Sequence, residues 1–280
     1  MPGIRVVADS ACDLPPELVA ANRLTIVPLT VRFGAEDATE LTSEEFWDKC
    51  RGTPVLPETA APAPGAFAAV FGQMADEGAD GVVCICLSSK MSATSQSAEA
   101  AAREVADRIP VRVVDSRNVS LGLGLIVLAA ADAAAAGAGL DEVAATAEAL
   151  IPRMRVFATF DTMENLKKGG RIGGARAFLG TVLSIKPVIE VVDGQVEEES
   201  KPRTRSRALQ YLVGKVTDGV RAGAVGQIGV IHGAAGDIDV FVEMLSRSVP
   251  PERLLVGLIG PVIGTHAGLG VIGVTWTDGQ

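Results

Sequence analysis

Val82-Val83-Cys84-Ile85-Cys86-Leu87-Ser88-Ser89-Lys90-Met91-Ser92-Ala93-Thr94-Ser95-Gln96-Ser97-Ala98 reads as a strand, a hydroxyl-rich turn and the opening of a helix. The first six residues form an unbroken apolar run of strand length, the pattern of a strand covered on both faces. From Ser88 to Ala98, seven of eleven residues carry a hydroxyl or an amide and none is acidic. Where a strand turns into a helix, the free N–H groups of the first helical turn point out of the sheet edge and favour an anion. The stretch therefore reads as a built site for an anionic group.

Outward from this stretch, strands alternate with helices. Residues 4–8 form a strand that Asp9-Ser10 turns into a short helix near 16–21. Residues 24–33 form a second strand region, broken at Pro28, which cannot donate to a ladder. Thr42 and Glu45 stand at capping-box spacing at the start of the next helix. A proline-rich loop over 52–64 leads to a helix over 65–77 and then to the opening stretch. Residues 111–116 repeat the first strand's design, ending again in Asp-Ser, and each Asp-Ser pair should cap or brace a strand-to-helix turn. Two alanine-rich helices follow. Such alternation predicts a parallel, doubly wound sheet.

The pattern changes near Arg155. A strand over 156–160, a short helix stopped by Gly169-Gly170, a strand over 183–192 and an Asp193-Gly194 hairpin turn predict a mixed sheet. A long helix over 204–220, strands at 227–232 and 253–259, a helix over 237–246 and a last strand at 271–277 complete the chain. The expected organisation is an N-terminal α/β domain over 1–154, carrying the anion-binding turn, and a C-terminal α+β domain over 155–280.

Composition narrows the partners. The 280 residues carry a net charge of −9, against nucleic acid or anionic membrane as a main partner, since both need a basic surface. Aromatics make up only 4% of a chain that is 48% hydrophobic, so the core is built from small and aliphatic groups. Cys12, Cys50, Cys84 and Cys86 form no metal-ligand pattern and read as buried small hydrophobes. The chain opens on a strand with no signal segment, and no apolar run is long enough to span a bilayer. A cytoplasmic protein without stable membrane insertion is the expectation.

Four loops rich in glycine or proline carry the candidate donors: Thr59, Ser92, Arg171 in Lys168-Gly169-Gly170-Arg171-Ile172, and His266 in a segment over 260–268 read as a turn. None is a carboxylate, so the set suits a bound anion. These residues also carry a resemblance. Asp9-Ser10-Ala11-Cys12-Asp13-Leu14-Pro15, Thr59 before Pro62, the Ser88–Ala98 stretch, the Lys168–Ile172 motif, Ile185-Lys186-Pro187 and Gly264-Thr265-His266 stand in the order and spacing of the DegV family, and the chain resembles that family over essentially its whole length.

The resemblance implies a bacterial fatty-acid-binding protein of two α/β domains, with the lipid buried between or within them. It implies a carrier and not an enzyme, one that presents the carboxylate to a separate fatty acid kinase making acyl phosphate for phospholipid synthesis. Thr59 and Ser92 would hydrogen-bond the carboxylate, and Arg171 and His266 would complete the polar network. No metal or cofactor is implied, only a long-chain fatty acid such as palmitate. A sixteen-carbon tail at about 0.8 kcal/mol per buried CH₂ would contribute on the order of 10 kcal/mol before entropic costs. Two positions depart from the family pattern. Ala93 replaces a glycine, which bears on the turn because glycine tolerates conformations alanine does not. Thr59-Ala60-Ala61-Pro62 keeps the threonine of a Thr-Ser-Gln-Pro loop and loses its two polar neighbours.

Simpler readings stand beside these. Ser92 also suits a helix cap, Arg171 also suits neutralisation of the preceding helix's C-terminus, His232 ends an apolar strand as a structural residue would, and Lys201, Arg203, Arg205 and Arg207 suit a solvated helix face. The functional alternative is a serine hydrolase acting on an acyl ester through Ser92 and His266 with an acid such as Asp9, although the G-x-S-x-G elbow is absent. A nucleotide- or sugar-phosphate-binding enzyme is a weaker rival, lacking both glycine-rich phosphate motifs.

Overall fold

The computed structural model of the chain describes residues 3–180 and 185–279. In chain order the elements are β1 (Ile4–Asp9), α1 (Pro16–Ala21), β2 (Thr25–Val27), β3 (Thr30–Phe33), β4 (Glu36–Asp37), α2 (Ser43–Gly52), β5 (Glu58–Ala60), α3 (Pro64–Asp76), β6 (Gly81–Cys86), α4 (Thr94–Glu104), β7 (Val111–Asp115), α5 (Ser120–Ala135) and α6 (Leu140–Leu150). Then come β8 (Met154–Thr159), α7 (Glu164–Lys168), β9 (Val188–Val192), β10 (Gln195–Ser200), α8 (Arg205–Arg221), β11 (Val225–His232), α9 (Ile238–Ser246), β12 (Leu254–Leu258), α10 (Pro261–Ala267) and β13 (Ile272–Thr277). Of the strand expected over 183–192, residues 183 and 184 lie outside the described residues.

The chain forms two compact units, Met1–Thr30 with Thr59–Pro152, and Val31–Glu58 with Arg153–Gln280. The first holds a four-stranded sheet in the order β2-β1-β6-β7, every pair parallel. Side chains alternate across it as the period of two demands. Val7, Val82, Cys84 and Cys86 enter one core cluster with Phe67, Phe71 and Met74 of α3 and Ala98 and Ala101 of α4. Helices α5 and α6 pack against β1, β6 and β7. All six residues of β6 are buried, which is why its sequence shows no alternation. The Sγ atoms of Cys84 and Cys86 lie 3.8 Å apart within this core, unexposed.

The second unit holds a mixed six-stranded sheet in the order β10-β9-β8-β13-β11-β12, antiparallel except where β11 meets β12. Its core gathers Phe157, stacked on Trp276 at 5.4 Å, with Leu209, Leu212 and Val216 of α8 and Phe241 and Leu245 of α9.

The contiguous division at residue 154 is not what the contacts give, because residues 31–58 group with the second unit. The reason is aromatic. Phe46 and Trp47, adjacent on α2 and essentially unexposed, pack edge to face at 5.0 Å. The Trp47 indole N–H donates to the Ile259 carbonyl at 2.7 Å, satisfying a buried donor. Gly264 of α10 lies against both rings: a methyl there would come within 2.6 Å of Phe46 Cε1 and 2.9 Å of Trp47 Cζ2. Capping of α2 by Thr42 and Glu45 follows the expectation, both reciprocal bonds being present.

Gly264→Ala places a methyl where two buried rings have no room to move. It should destabilise the protein by about 1–3 kcal/mol, the usual cost of overpacking, measured as a lowered midpoint in chemical denaturation. An unchanged midpoint would remove the aromatic pair as the feature that seats α2 on α10.

Candidate functional site

In the first unit the site is built from the end of β6 outward. Ser88 is wholly buried and organises the turn. Its N–H donates to the Asn118 carbonyl at 2.9 Å, its carbonyl accepts from the N–H groups of Met91 and Ser92 at 3.0 and 3.1 Å, and its Oγ accepts from the Lys90 N–H at 3.2 Å. Ser89 is tied through its N–H, and again through its hydroxyl, to the Asp115 carboxylate at the end of β7. The turn is thereby locked before α4 begins. Ser92 is half-buried, and its hydroxyl shares a 2.9 Å hydrogen bond with that of the buried Thr94. The first intrahelical bond of α4 runs from Ser97 N–H to the Ala93 carbonyl, so the N–H groups of Thr94, Ser95 and Gln96 precede the ladder.

Ala93 has φ of −81° and ψ of 11°. That is the bridge region common in turns, reached with a negative φ, so the turn does not demand glycine. Helix α4 starts three residues before the expected Ser97, which brings Ser92 to the edge of its first turn.

Both Asp-Ser pairs brace strand ends, as their sequence echo predicts. Asp9 is unexposed, and its two oxygens accept from Leu87 N–H at 2.7 Å and Ala11 N–H at 2.9 Å. One carboxylate thus ties the end of β1 to the end of β6. Burial pushes its pKa up to about 7, against the lowering effect of the two N–H donors. Ser10 Oγ accepts from Leu29 N–H, and Ser116 Oγ accepts from Asn118 N–H. Asp9 is spent on backbone and orients no histidine, which deprives the hydrolase alternative of the acid named for it. Thr59 lies half-buried on β5, a short strand inside the segment read as loop.

In the second unit, Arg171 and His266 come together. His266 lies on α10 and not in a loop: Pro261 opens the helix where its missing N–H costs nothing, and Gly268, at φ of 76°, ends it. Arg171 follows α7. Its Nη1 donates to the carbonyl of Gly169, the C-cap of that helix, so it neutralises the helix end while its guanidinium lies beside His266. A Cβ on Gly169 would overlap His266 Nδ1 and lie 2.9 Å from its Cε1, so the imidazole is seated directly on the glycine. Asn165 Nδ2 donates to the Thr265 carbonyl at 3.0 Å and holds α7 to α10. Burial, with the Arg171 guanidinium beside it, pushes the His266 pKa down to about 4. The imidazole is neutral at pH 7, offering one donor and one acceptor. His232, half-buried, is also held below its ordinary value by burial. Asn165 stands in no motif of the sequence, and nothing local marks Thr94 as the partner of Ser92. The Gly-Gly pair signalled a helix stop, while its use as a seat for a ring left no local signature.

His266 titrates with a lower pKa folded than its ordinary 6.5, so it binds a proton more readily unfolded. Its effect on stability should be nil above about pH 6.5 and grow to a loss of about 3 kcal/mol as pH falls through about 4. Asp9, raised in the fold, contributes with the opposite sign, its stabilisation present below its ordinary 3.8 and lost as pH rises through about 7. NMR titration of the imidazole checks the first assignment. Gly169→Ala, at a φ of −70° that alanine accepts, should displace the ring and return its pKa toward 6.5; a titration unchanged by the variant would show that the glycine does not seat the ring.

The family model described as "Uncharacterised protein, DegV family" matches residues 3–278. A DegV domain-containing protein of Streptomyces coelicolor is 36% identical over 277 residues, 97% of each chain. Among solved structures, a fatty acid binding DegV family protein from Thermus thermophilus is 35% identical with a TM-score of 0.89, covering 99% of both chains. DegV, a fatty acid binding protein from Bacillus subtilis, is 29% identical with a TM-score of 0.90, again over 99% of both. Sequence motifs, the parallel and mixed sheets, and whole-length similarity converge, and the chain belongs to the DegV family.

Proposed function

We propose that this protein binds a long-chain fatty acid, palmitate or similar, and presents its carboxylate to a separate fatty acid kinase that forms an acyl phosphate for phospholipid synthesis. The observation that carries this reading is the Ser92 turn: a half-buried hydroxyl, held by Thr94, at the first turn of α4 and braced from below by Asp9. Hydroxyl and N–H donors at a helix N-terminus stabilise a carboxylate, typically by about 0.3–1 kcal/mol and more where partly buried. The fatty-acid-binding relatives from Thermus thermophilus and Bacillus subtilis support the choice of ligand.

In this reading Ser92 and Thr59 hydrogen-bond the carboxylate, Arg171 supplies positive charge and His266 a neutral imidazole. With a hydroxyl pair as the principal contact, the carboxylate is not locked into a full ion pair and stays available for transfer. The protein acts in the cytoplasm as a carrier without a catalytic residue or cofactor of its own, and the kinase does the chemistry. The commitment of Asp9 to two backbone N–H groups favours this over ester hydrolysis at Ser92.

Native mass spectrometry of the purified protein should show a co-purified fatty acid, and a persistently empty protein with no fatty-acid affinity would sink the reading. Ser92→Ala should weaken retention by about 1–3 kcal/mol, as for a lost hydrogen bond to a charged group. Stoichiometric labelling of Ser92 by a fluorophosphonate would instead establish the hydrolase. Arg171→Ala should reduce acyl-phosphate formation with the kinase more than lipid binding; an equal loss in both assays would place Arg171 in retention alone.

A further inference from the structure

The first unit has a cavity of about 550 Å³ at the N-terminal half of β1, the opposite end of the sheet from the Ser92 turn. We propose that this cavity is a second ligand site, for a small oxyanion with an apolar body. The inference does not rest on the fatty-acid reading.

The geometry of β1 opens the cavity. Strand β6 pairs with β1 over Ile4–Ala8, but β2 on the other side pairs only with Val7–Asp9. Over Ile4–Val6 that edge of the sheet has no neighbouring strand among the described residues, and Ile4, Arg5 and Val6 line the cavity. Ala131, Ala134 and Ala135 of α5, with Ile4 and Val6, supply an apolar lining, and their small side chains leave the volume open. The size falls within the range of small-molecule pockets.

Charge sets the ligand's sign. The lining contains Arg5 and Arg23 and no carboxylate, in a protein whose net charge is −9. Arg5 is answered by Glu77 at 3.3 Å. The exposed Arg23 guanidinium has no hydrogen-bond or ion-pair partner among the described residues. A guanidinium presents paired donors suited to the two oxygens of a carboxylate or phosphate.

The backbone at Arg23 is unusual in the same direction. Arg23 N–H bonds to the Ala20 carbonyl at 3.1 Å and Leu24 N–H to the Val19 carbonyl at 3.0 Å, the two bonds of a Schellman helix end. Its φ is 52°, a left-handed conformation where glycine is the favoured residue. A long charged side chain is therefore carried on the cavity rim at a position where glycine would be favoured. A basic residue at a helix C-terminus also answers the helix dipole, and the test separates that role from ligand binding.

The test is an amide-resolved NMR titration of the full chain, as purified, with phenyl phosphate, benzoate, inorganic phosphate and benzyl alcohol. Phenyl phosphate or benzoate should shift the amides of Ile4, Arg5, Val6, Asn22 and Arg23, and which of the two binds tighter identifies the anionic group. Inorganic phosphate should bind more weakly and benzyl alcohol not at all. Arg23→Gly should weaken binding by about tenfold or more, the loss of a charge-assisted contact. Its melting temperature should hold or rise, because glycine suits a φ of 52°. Arg23→Lys, which keeps the charge and loses the fork, should fall between. Ser92→Ala should leave this titration unchanged, so failure of the carboxylate reading is distinguishable. Undiminished binding by Arg23→Gly, equal binding of benzyl alcohol, or the absence of shifts at these amides up to the probes' solubility would each overturn the proposal.

Discussion

One buried carboxylate holds the first unit's working end together. Asp9 receives N–H donors from its own turn and from Leu87, the residue that follows β6. Parallel strands cannot be joined by a tight hairpin, so their C-terminal ends are aligned by what lies between and beyond them. Here that alignment includes a side chain at zero exposure bridging β1 and β6. Everything in the Ser88–Thr94 turn hangs from the point it braces: Ser88 anchors three main-chain N–H groups, and Ser92 emerges only after they are satisfied. Burying a carboxylate costs free energy, and two short N–H bonds offset part of that cost while burial still raises the pKa. Asp115 repeats the device one strand away, receiving Ser89 twice.

The second unit reaches its geometry by subtraction. Gly169 lets the imidazole of His266 lie directly on the C-cap of α7, and Gly264 lets Phe46 and Trp47 lie directly on α10. Neither glycine is there for a left-handed backbone, since Gly169 is in the ordinary helical region and Gly264 sits within α10. Both serve close approach. The same seven-residue helix is thereby packed by aromatic rings and carries, two residues on, the half-buried neutral histidine. Arg171 divides its guanidinium between capping α7 and lying beside that histidine, so its structural reading is met.

Much of the fold was legible. The helix at Pro16–Ala21, the capping box of α2, the break at Pro28 and the Asp193-Gly194 hairpin were all visible as local chemistry, and the structure keeps each of them. Helix α10 was not, because three glycines and a proline in nine residues read as a turn; Pro261 and Gly268 are in fact its two ends. Strand β5 was hidden in the same way by the prolines around it. The grouping of residues 31–58 with the second unit was out of reach, since it rests on Trp47 meeting Ile259 more than two hundred positions later.

The sequence by itself determined most of the element types, α10 and β5 excepted, the parallel and mixed sheets, the family, and the hydroxyl-rich turn with its bracing Asp-Ser pairs, because each depends on short-range periodicity and on donors and acceptors a few residues apart. Only the tertiary structure decided that Asp9 reaches Leu87, that Thr94 holds Ser92, that Ala93 sits comfortably in its turn, and that His266 rests on Gly169 and is neutral there. The physical reason is that burial and close approach are properties of packing. A carboxylate, an imidazole or a glycine acquires its role from what lies on the other side of it, and that neighbour is supplied by a distant part of the chain.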